Sequence, residues 1–360
     1  MTATAPGKLI VTGEFAVLDG APALVLAMDR RVVARYAPTV AQGSSPFLLA
    51  LAREIATRYG DTHPAATTAL SIAVDSSSFY DGDRKLGLGS SAAVTVAATA
   101  LALAARASED ATASSIDRRE VLAIASAAHA RAQGAMGARG SGADIASAVY
   151  GGAIVFTMAH AGDASGARDA SRASDGSRAS QTEDSHASDV GASNAPSIIK
   201  RTWPHSVRIV PFFTGASAST AELVARVTAA RADNPAAVDA ALAAIADASR
   251  AACKAIAGPA DLAQTALIAA ISLAGSAIDR LAIATGVALV PACVSAARAA
   301  MARFGGTAKT TGAGGGDIGI AVIPATADVT EVRRSLIQAG CQVLQLSVDE
   351  TGVDLQTNAL

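Results

Sequence analysis

The segment Lys85-Leu86-Gly87-Leu88-Gly89-Ser90-Ser91-Ala92-Ala93 runs straight into an apolar helical stretch, and nothing else in the 360-residue chain limits the fold as tightly. Glycine allows backbone geometry and close approaches that other residues forbid, and the first N–H groups of a helix have no partner within it. An anion satisfies those groups, and serine hydroxyls can bind a phosphate or its metal. The segment is therefore built as a phosphate cradle. It lacks the Gly-Lys-Ser/Thr ending of a Walker loop and the spacing of a dinucleotide fingerprint, which argues against P-loop and Rossmann folds. On its own it also reads as a serine-capped helix after a turn.

Two further segments share this character. Ala5-Pro6-Gly7-Lys8 precedes the apolar run Leu9 to Thr12 and then Gly13-Glu14-Phe15. A lysine entering a buried strand needs an anionic partner, and a ligand phosphate or carboxylate would serve. The plain alternative is a solvated strand end. Lys309-Thr310-Thr311-Gly312-Ala313-Gly314-Gly315-Gly316-Asp317-Ile318-Gly319 places five glycines within eight residues ahead of a strand. Such a loop loses much entropy on folding and needs a reason to exist. A β-turn is the alternative.

Between these segments the pattern predicts strands over 8–17 and 24–36, a helix over 47–59, a strand over 70–74, helices over 91–106, 119–133 and from 143, and a strand over 153–158. Residues Ala159 to Pro196 are rich in Ser, Ala, Asp, Gly and Arg, almost without large hydrophobes, and read as a disordered insertion. Alternation resumes over 206–213. Helices follow over 220–232, 235–256, 261–285 and 290–304, and a strand, helix, strand unit over 319–323, 328–339 and 342–348 closes the chain. This is an α+β protein divided at 1–158, 159–197 and 198–360.

The net charge of -2 offers no electrostatic footprint for nucleic acid or an acidic membrane, so the expected partner is small. Cys253, Cys293 and Cys341 are widely spaced and odd in number, which suits thiols in a reducing compartment. No signal-peptide pattern opens the sequence, and the longest apolar stretch noted, 92–105, is too short to span a bilayer; the expectation is a soluble, cytoplasmic protein.

The Pro-Gly-Lys start, the Gly-Leu-Gly-Ser-Ser-Ala-Ala loop and the Gly-Ala-Gly-Gly-Gly-Asp loop, in this order, resemble the superfamily of galactokinase, homoserine kinase, mevalonate kinase and phosphomevalonate kinase (GHMP kinases). Ala132-Gln133-Gly134 with Gly140-Ser141-Gly142-Ala143-Asp144-Ile145-Ala146 resembles the phosphomevalonate kinase family within it, with Gln133 about where mevalonate kinases carry a glutamate. The resemblance implies a ribosomal-S5-like N-terminal lobe, a ferredoxin-like C-terminal lobe, ATP in the cleft between them, and Mg²⁺. It implies that Lys85, Gly87, Leu88, Gly89, Ser90, Ser91 and Ala92 hold ATP phosphates, that Ser91 assists Mg²⁺ with Gln133 nearby, and that Lys8 and Asp144 are catalytic. Ser141, Gly142, Ser217, Ser219, Thr220, Gly314, Gly315, Gly316 and Asp317 would face 5-phosphomevalonate. Many relatives carry a lysine where Ala216 stands, and Arg139 is a candidate substitute. Ser141-x-x-Asp144 equally fits a helix capping box. Other small-molecule kinases of the superfamily, mevalonate diphosphate decarboxylase and a non-catalytic relative remain alternatives. His129 reads as a helix-packing residue.

Overall fold

The computed structural model describes residues 1–37, 45–105, 116–137, 140–159 and 195–356. All but the ends of the low-complexity stretch, and the candidate substitute Arg139, lie outside the described residues. The elements are β1 (Thr2–Thr12), β2 (Ala23–Tyr36), α1 (Pro46–Tyr59), α2 (Pro64–Ala69), β3 (Ile72–Asp75), β4 (Tyr80–Asp81), β5 (Arg84–Lys85), α3 (Ser90–Ala104), α4 (Arg118–Ala135), α5 (Ala143–Tyr150), β6 (Ala153–Thr157) and β7 (Ser197–Arg201). There follow β8 (Val207–Phe213), α6 (Thr220–Asp233), α7 (Pro235–Ala257), α8 (Ala260–Thr285), α9 (Ala292–Ala302), β9 (Thr307–Thr310), β10 (Ile318–Pro324), α10 (Val329–Gln338), β11 (Gln342–Val343) and β12 (Asp354–Gln356). Every helix expected from periodicity is present, within a few residues.

The first sheet runs β12-β1-β2-β6-β7, with β3 also on β2, all antiparallel. Its centre is the long β1/β2 ladder, interrupted by register shifts between Pro6 and Gly7 and between Ile10 and Thr12. Proline has no N–H to give a ladder, so a bulge is where a strand tolerates it. The second sheet runs β11-β8-β10-β9, the 4-1-3-2 order of a ferredoxin-like unit, with α6 to α9 inserted after its first strand. One core joins both sheets: Leu9 and Leu26 of the first belong to the same buried cluster as Ile318 and Ile320 of the second, and α3 supplies Ala93, Val96, Ala97 and Leu101. α7 and α8 pack against each other, and Ala241, Ala248 and Ala252 of the first and Ala270, Ala274 and Ala277 of the second are all buried, small side chains that let the two helices lie close. Leu262–Thr285 of α8 is long and apolar enough to cross a membrane by length and composition, longer than the stretch singled out from the sequence; half of its most apolar window is buried within the fold.

The sheets do not divide at the expected boundaries. β7 and β12 both belong to the first sheet, although they fall within the stretch assigned to the C-terminal lobe. The strand expected over 342–348 is two short pairings: β11 lies on β8, while Val348 bridges Met28 and the Asp349 N–H donates to the Ala27 carbonyl at 2.9 Å. The chain changes sheets between them, so no single strand forms. Short elements with little periodicity, α2, β4, β5, β9 and β12, were not legible from pattern.

Candidate active site

Lys8 lies just after the register shift at Pro6/Gly7, where Asp29 and Arg30 of β2 are the extra residues, and it is paired with Ala27. The Lys8 N–H donates to the Leu88 carbonyl at 2.9 Å, which docks the glycine loop onto the strand. Glycine is required on both sides of this contact. A Cβ on Gly7 would lie 2.9 Å from Phe79 and 3.0 Å from the Leu88 carbonyl, and one on Gly89, at φ +77°, would lie 3.1 Å from Lys8 Cε. The Lys8 side chain therefore runs beneath the loop. Burial lowers its pKa, while Asp144, Asp317 and Glu14 pull it back up and Lys85 pushes it further down. An anion arriving from solution favours its charged form.

The loop feeds α3 with Gly89 at the N-cap in a left-handed conformation and no side chain capping the helix. Its leading N–H groups therefore lack a capping acceptor at the point where Lys8 and Lys85 gather positive potential, which suits the phosphates of a nucleotide. Ser90 is buried and Ser91 half-buried at the start of α3. The Ser91 hydroxyl lies 3.1 Å from His129 Nε2, and its carbonyl accepts from the Thr95 hydroxyl at 2.8 Å. Among the described residues no cluster of three acidic, histidine or cysteine side chains could hold a metal by itself. Mg²⁺ characteristically takes one or two protein oxygens and completes its shell with substrate phosphates and water. The oxygen-bearing side chains of Ser91 and Asp144, beside an open phosphate cradle, fit an ion that arrives with the nucleotide.

Asp144 resolves one alternative. A capping box would make Ser141 the N-cap and return the Asp144 side chain to its N–H. Instead Gly142 is the N-cap of α5, at φ +84°, with no side-chain cap bond; the Ser141 hydroxyl accepts from Ala143 N–H at 3.2 Å, and Asp144 Oδ1 from Ile145 N–H at 3.0 Å. The box is absent, and the Asp144 charge acts on Lys8.

The second sheet delivers the other wall. Pairing of Phe213 with Ile318 forces the residues after β8 and before β10 to meet: Thr214 N–H donates to the Asp317 carbonyl at 2.9 Å, and Asp317 N–H to the Ala216 carbonyl at 2.6 Å. The Asp317 side chain reaches the phosphate loop, where a Cβ on Gly87 would fall 2.6 Å from its own. Burial raises the Asp317 pKa against the opposing pull of Ala218 N–H, Lys8, Lys85 and the Ser217 hydroxyl. Lys8, Lys85, Asp144, Asp317 and Ser217 thus converge. Ser219 instead caps α6, accepting from Glu222 N–H at 3.4 Å, and Thr220 opens that helix. Gly314, Gly315 and Gly316 are each accounted for by packing: added Cβ atoms would meet the Leu289 carbonyl at 2.5 Å, Leu223 at 2.8 Å and the Ala216 carbonyl at 2.8 Å. These glycines shape the loop.

Lys309 was read only as the start of the glycine-rich loop. It lies in β9, fully buried, and pairs with the equally buried Glu14 while donating to the carbonyls of Val11 at 3.1 Å and Thr310 at 2.6 Å. Burial pushes Glu14 up and Lys309 down, and each opposes the other's shift. The pair bolts the turn after β1 to the second sheet, 295 residues away in sequence. A charged residue in the turn after β1 and another in β9 were the signal; their partnership was not visible.

The GHMP kinases N terminal domain model matches residues 47–152. The chain is 30% identical to a phosphomevalonate kinase from Streptomyces sp. (strain CL190), with 97% of each covered. Its fold is similar to Streptococcus pneumoniae phosphomevalonate kinase in complex with phosphomevalonate and AMPPNP (TM-score 0.71, 17% identity, 97% and 99% of the two chains). It is also similar to L. major mevalonate kinase in complex with R-mevalonate (TM-score 0.61, 16% identity, 100% and 97%).

Proposed function

The chain belongs to the GHMP kinases and, within them, to the phosphomevalonate kinase family, and we propose that it transfers the γ-phosphoryl group of ATP to 5-phosphomevalonate, giving 5-diphosphomevalonate. The observation that carries the chemistry is the convergence of Lys8, Lys85, Asp144, Asp317 and Ser217 on the Gly87 to Ser91 loop. The full-length likeness to a phosphomevalonate kinase supports the choice of acceptor.

Phosphoryl transfer asks for alignment and charge stabilisation more than covalent chemistry. The loop from Gly87 to Ala92 and the start of α3 bind the donor phosphates through backbone N–H groups. Mg²⁺, when bound, neutralises charge between donor phosphates, and Ser91 is the residue at hand to hold it. Lys8 lies between the donor loop and Asp144, so its ammonium group stabilises charge on the group in transit. The acceptor is itself a phosphate, whose second pKa is near ~6, so it needs little help in losing a proton. Asp144 accordingly orients Lys8 more than it acts as a base. Ser141, Gly142 and Ser217 border the acceptor side, and the start of α6 supplies further N–H groups there.

A coupled ADP-release assay with Mg²⁺, ATP and a panel of 5-phosphomevalonate, mevalonate, homoserine and galactose tests the reading. Turnover on 5-phosphomevalonate alone, lost in Lys8→Met, is expected. Turnover on mevalonate instead would transfer the assignment to mevalonate kinase, and carbon dioxide release to the decarboxylase.

A further inference from the structure

The face of α4 that carries Gln133 also carries His129 one turn earlier. The Gln133 amide lies against Gly140, where a Cβ would sit 2.6 Å from its Oε1, at the entrance to the acceptor segment. His129 reaches the donor side. It is 3% exposed, its ring is stacked on Phe47 at 5.1 Å with an interplanar angle of 23°, and its Nε2 lies 3.1 Å from the Ser91 hydroxyl. A ring fixed in plane by stacking and aimed at one oxygen does more than fill space between α1, α3 and α4.

We infer that His129 is a positioning residue whose Nε2, in the Nδ1–H tautomer, accepts a hydrogen bond from the Ser91 hydroxyl, turning the oxygen's lone pairs towards the metal-bearing side of the nucleotide. The inference rests on the kinase reading. A hydroxyl has one hydrogen and two lone pairs. To ligate a cation it must present a lone pair, so its hydrogen needs an acceptor elsewhere, and Nε2 lies within hydrogen-bond distance. The Thr95 bond to the Ser91 carbonyl holds the serine backbone, leaving hydroxyl rotation as the remaining freedom. Phe47 holds the ring against rotation in the same way. Donor and acceptor segments are thereby referenced to one rigid helix, through His129 and Gln133 respectively.

The test is calorimetric binding of AMPPNP with and without Mg²⁺ to the wild-type protein, His129→Phe, His129→Gln, Ser91→Ala and the Ser91→Ala/His129→Phe double variant. His129→Phe keeps a stacking ring and loses the acceptor. It is expected to lose roughly three- to tenfold of the Mg²⁺-dependent tightening, the value of one hydrogen bond, while Mg²⁺-free affinity stays at the wild-type value. In the Ser91→Ala background the phenylalanine should add nothing, and His129→Gln, whose amide oxygen can accept, should retain part of the effect. Equal weakening with and without Mg²⁺, or a full additional loss on top of Ser91→Ala, would show that the ring serves packing and would overturn the inference. Should His129→Phe fail to fold, His129→Gln against Ser91→Ala makes the same comparison, and equal weakening of Mg²⁺-free binding by His129→Gln overturns it. Wild-type protein that binds AMPPNP without any Mg²⁺ tightening sinks the inference alone; wild-type protein that binds no AMPPNP sinks the kinase reading with it.

Discussion

Replacing Lys309 by methionine keeps the length of the side chain and removes the only cation paired with Glu14 among the described residues. Both groups are fully buried, Glu14 Oε2 already lacks a hydrogen-bond partner, and Lys309 Nζ also satisfies two backbone carbonyls. Removing one member of such a pair leaves an uncompensated buried charge and costs about 3–5 kcal/mol. Unfolding entropy near ~2.1 cal/mol/K per residue gives about 0.76 kcal/mol/K over the chain, so the melting temperature should fall by about 4–7 °C. The double variant Glu14→Leu/Lys309→Met removes both charges along with the desolvation cost of burying them, and should recover to within about 1 kcal/mol of wild type or exceed it. Urea unfolding followed by far-UV circular dichroism, with thermal melts in parallel, reads both numbers. A Lys309→Met cost below about 1 kcal/mol, or a double variant that loses the sum of the two single losses, would refute the account of the pair as a mutually compensated buried unit.

Gly87→Ala must adopt φ +73° and push aside Asp317, at a strain of about 1–2 kcal/mol for the backbone alone; ADP release should fall at least tenfold while circular dichroism stays unchanged. Burial would raise the Glu54 pKa, but Arg58 and Arg131 outweigh it and hold the carboxyl below its ordinary value. Its stabilisation is thus present above the ordinary carboxylate pKa of about 4.3 and is lost as pH falls through that region; Glu54→Gln should flatten the acid limb of a stability-versus-pH curve, and an unchanged limb would count against the pairing. Burial pushes the Cys253 thiol up to about 11, and burial with Cys293 nearby pushes Cys341 up to about 12. Both stay protonated at pH 8, and peptide mass spectrometry should find them alkylated by iodoacetamide far more slowly in native than in urea-unfolded protein.

The form of the glycine loop was legible because a glycine-rich turn opening onto a helix is local, although the partners of its close approaches, Asp317 for Gly87 and Lys8 for Gly89, are not. Long helices were legible for a similar reason, their periodicity recurring over several turns. What escaped depends on pairing at a distance. Glu14 and Lys309 are unremarkable apart and decisive together. The contacts of His129 with Ser91 and Phe47 come from other helices. The cap bond from Ser219 to the start of α6, and the approach of Leu289, Leu223 and Ala216 to Gly314, Gly315 and Gly316, likewise join segments that the sequence holds apart. Of the carboxylates acting on Lys8, Asp144 stands in a motif that reads locally, whereas the reach of Asp317 to Gly87 needs the β8/β10 register to be known.

The strand that carries Lys8 has Asp354 to Gln356 as one of its neighbours, with Thr2 paired to Gln356 and Thr4 to Asp354. During synthesis, that edge of the sheet stays open until residues 354–356 have left the ribosome, and an open edge is a template for pairing with other chains. The first lobe therefore cannot be completed ahead of the second in the order of translation, and contacts this distant in sequence slow folding. A nascent chain halted near residue 350 would hold the phosphate loop and Lys8 yet still lack one neighbour of the strand beneath them.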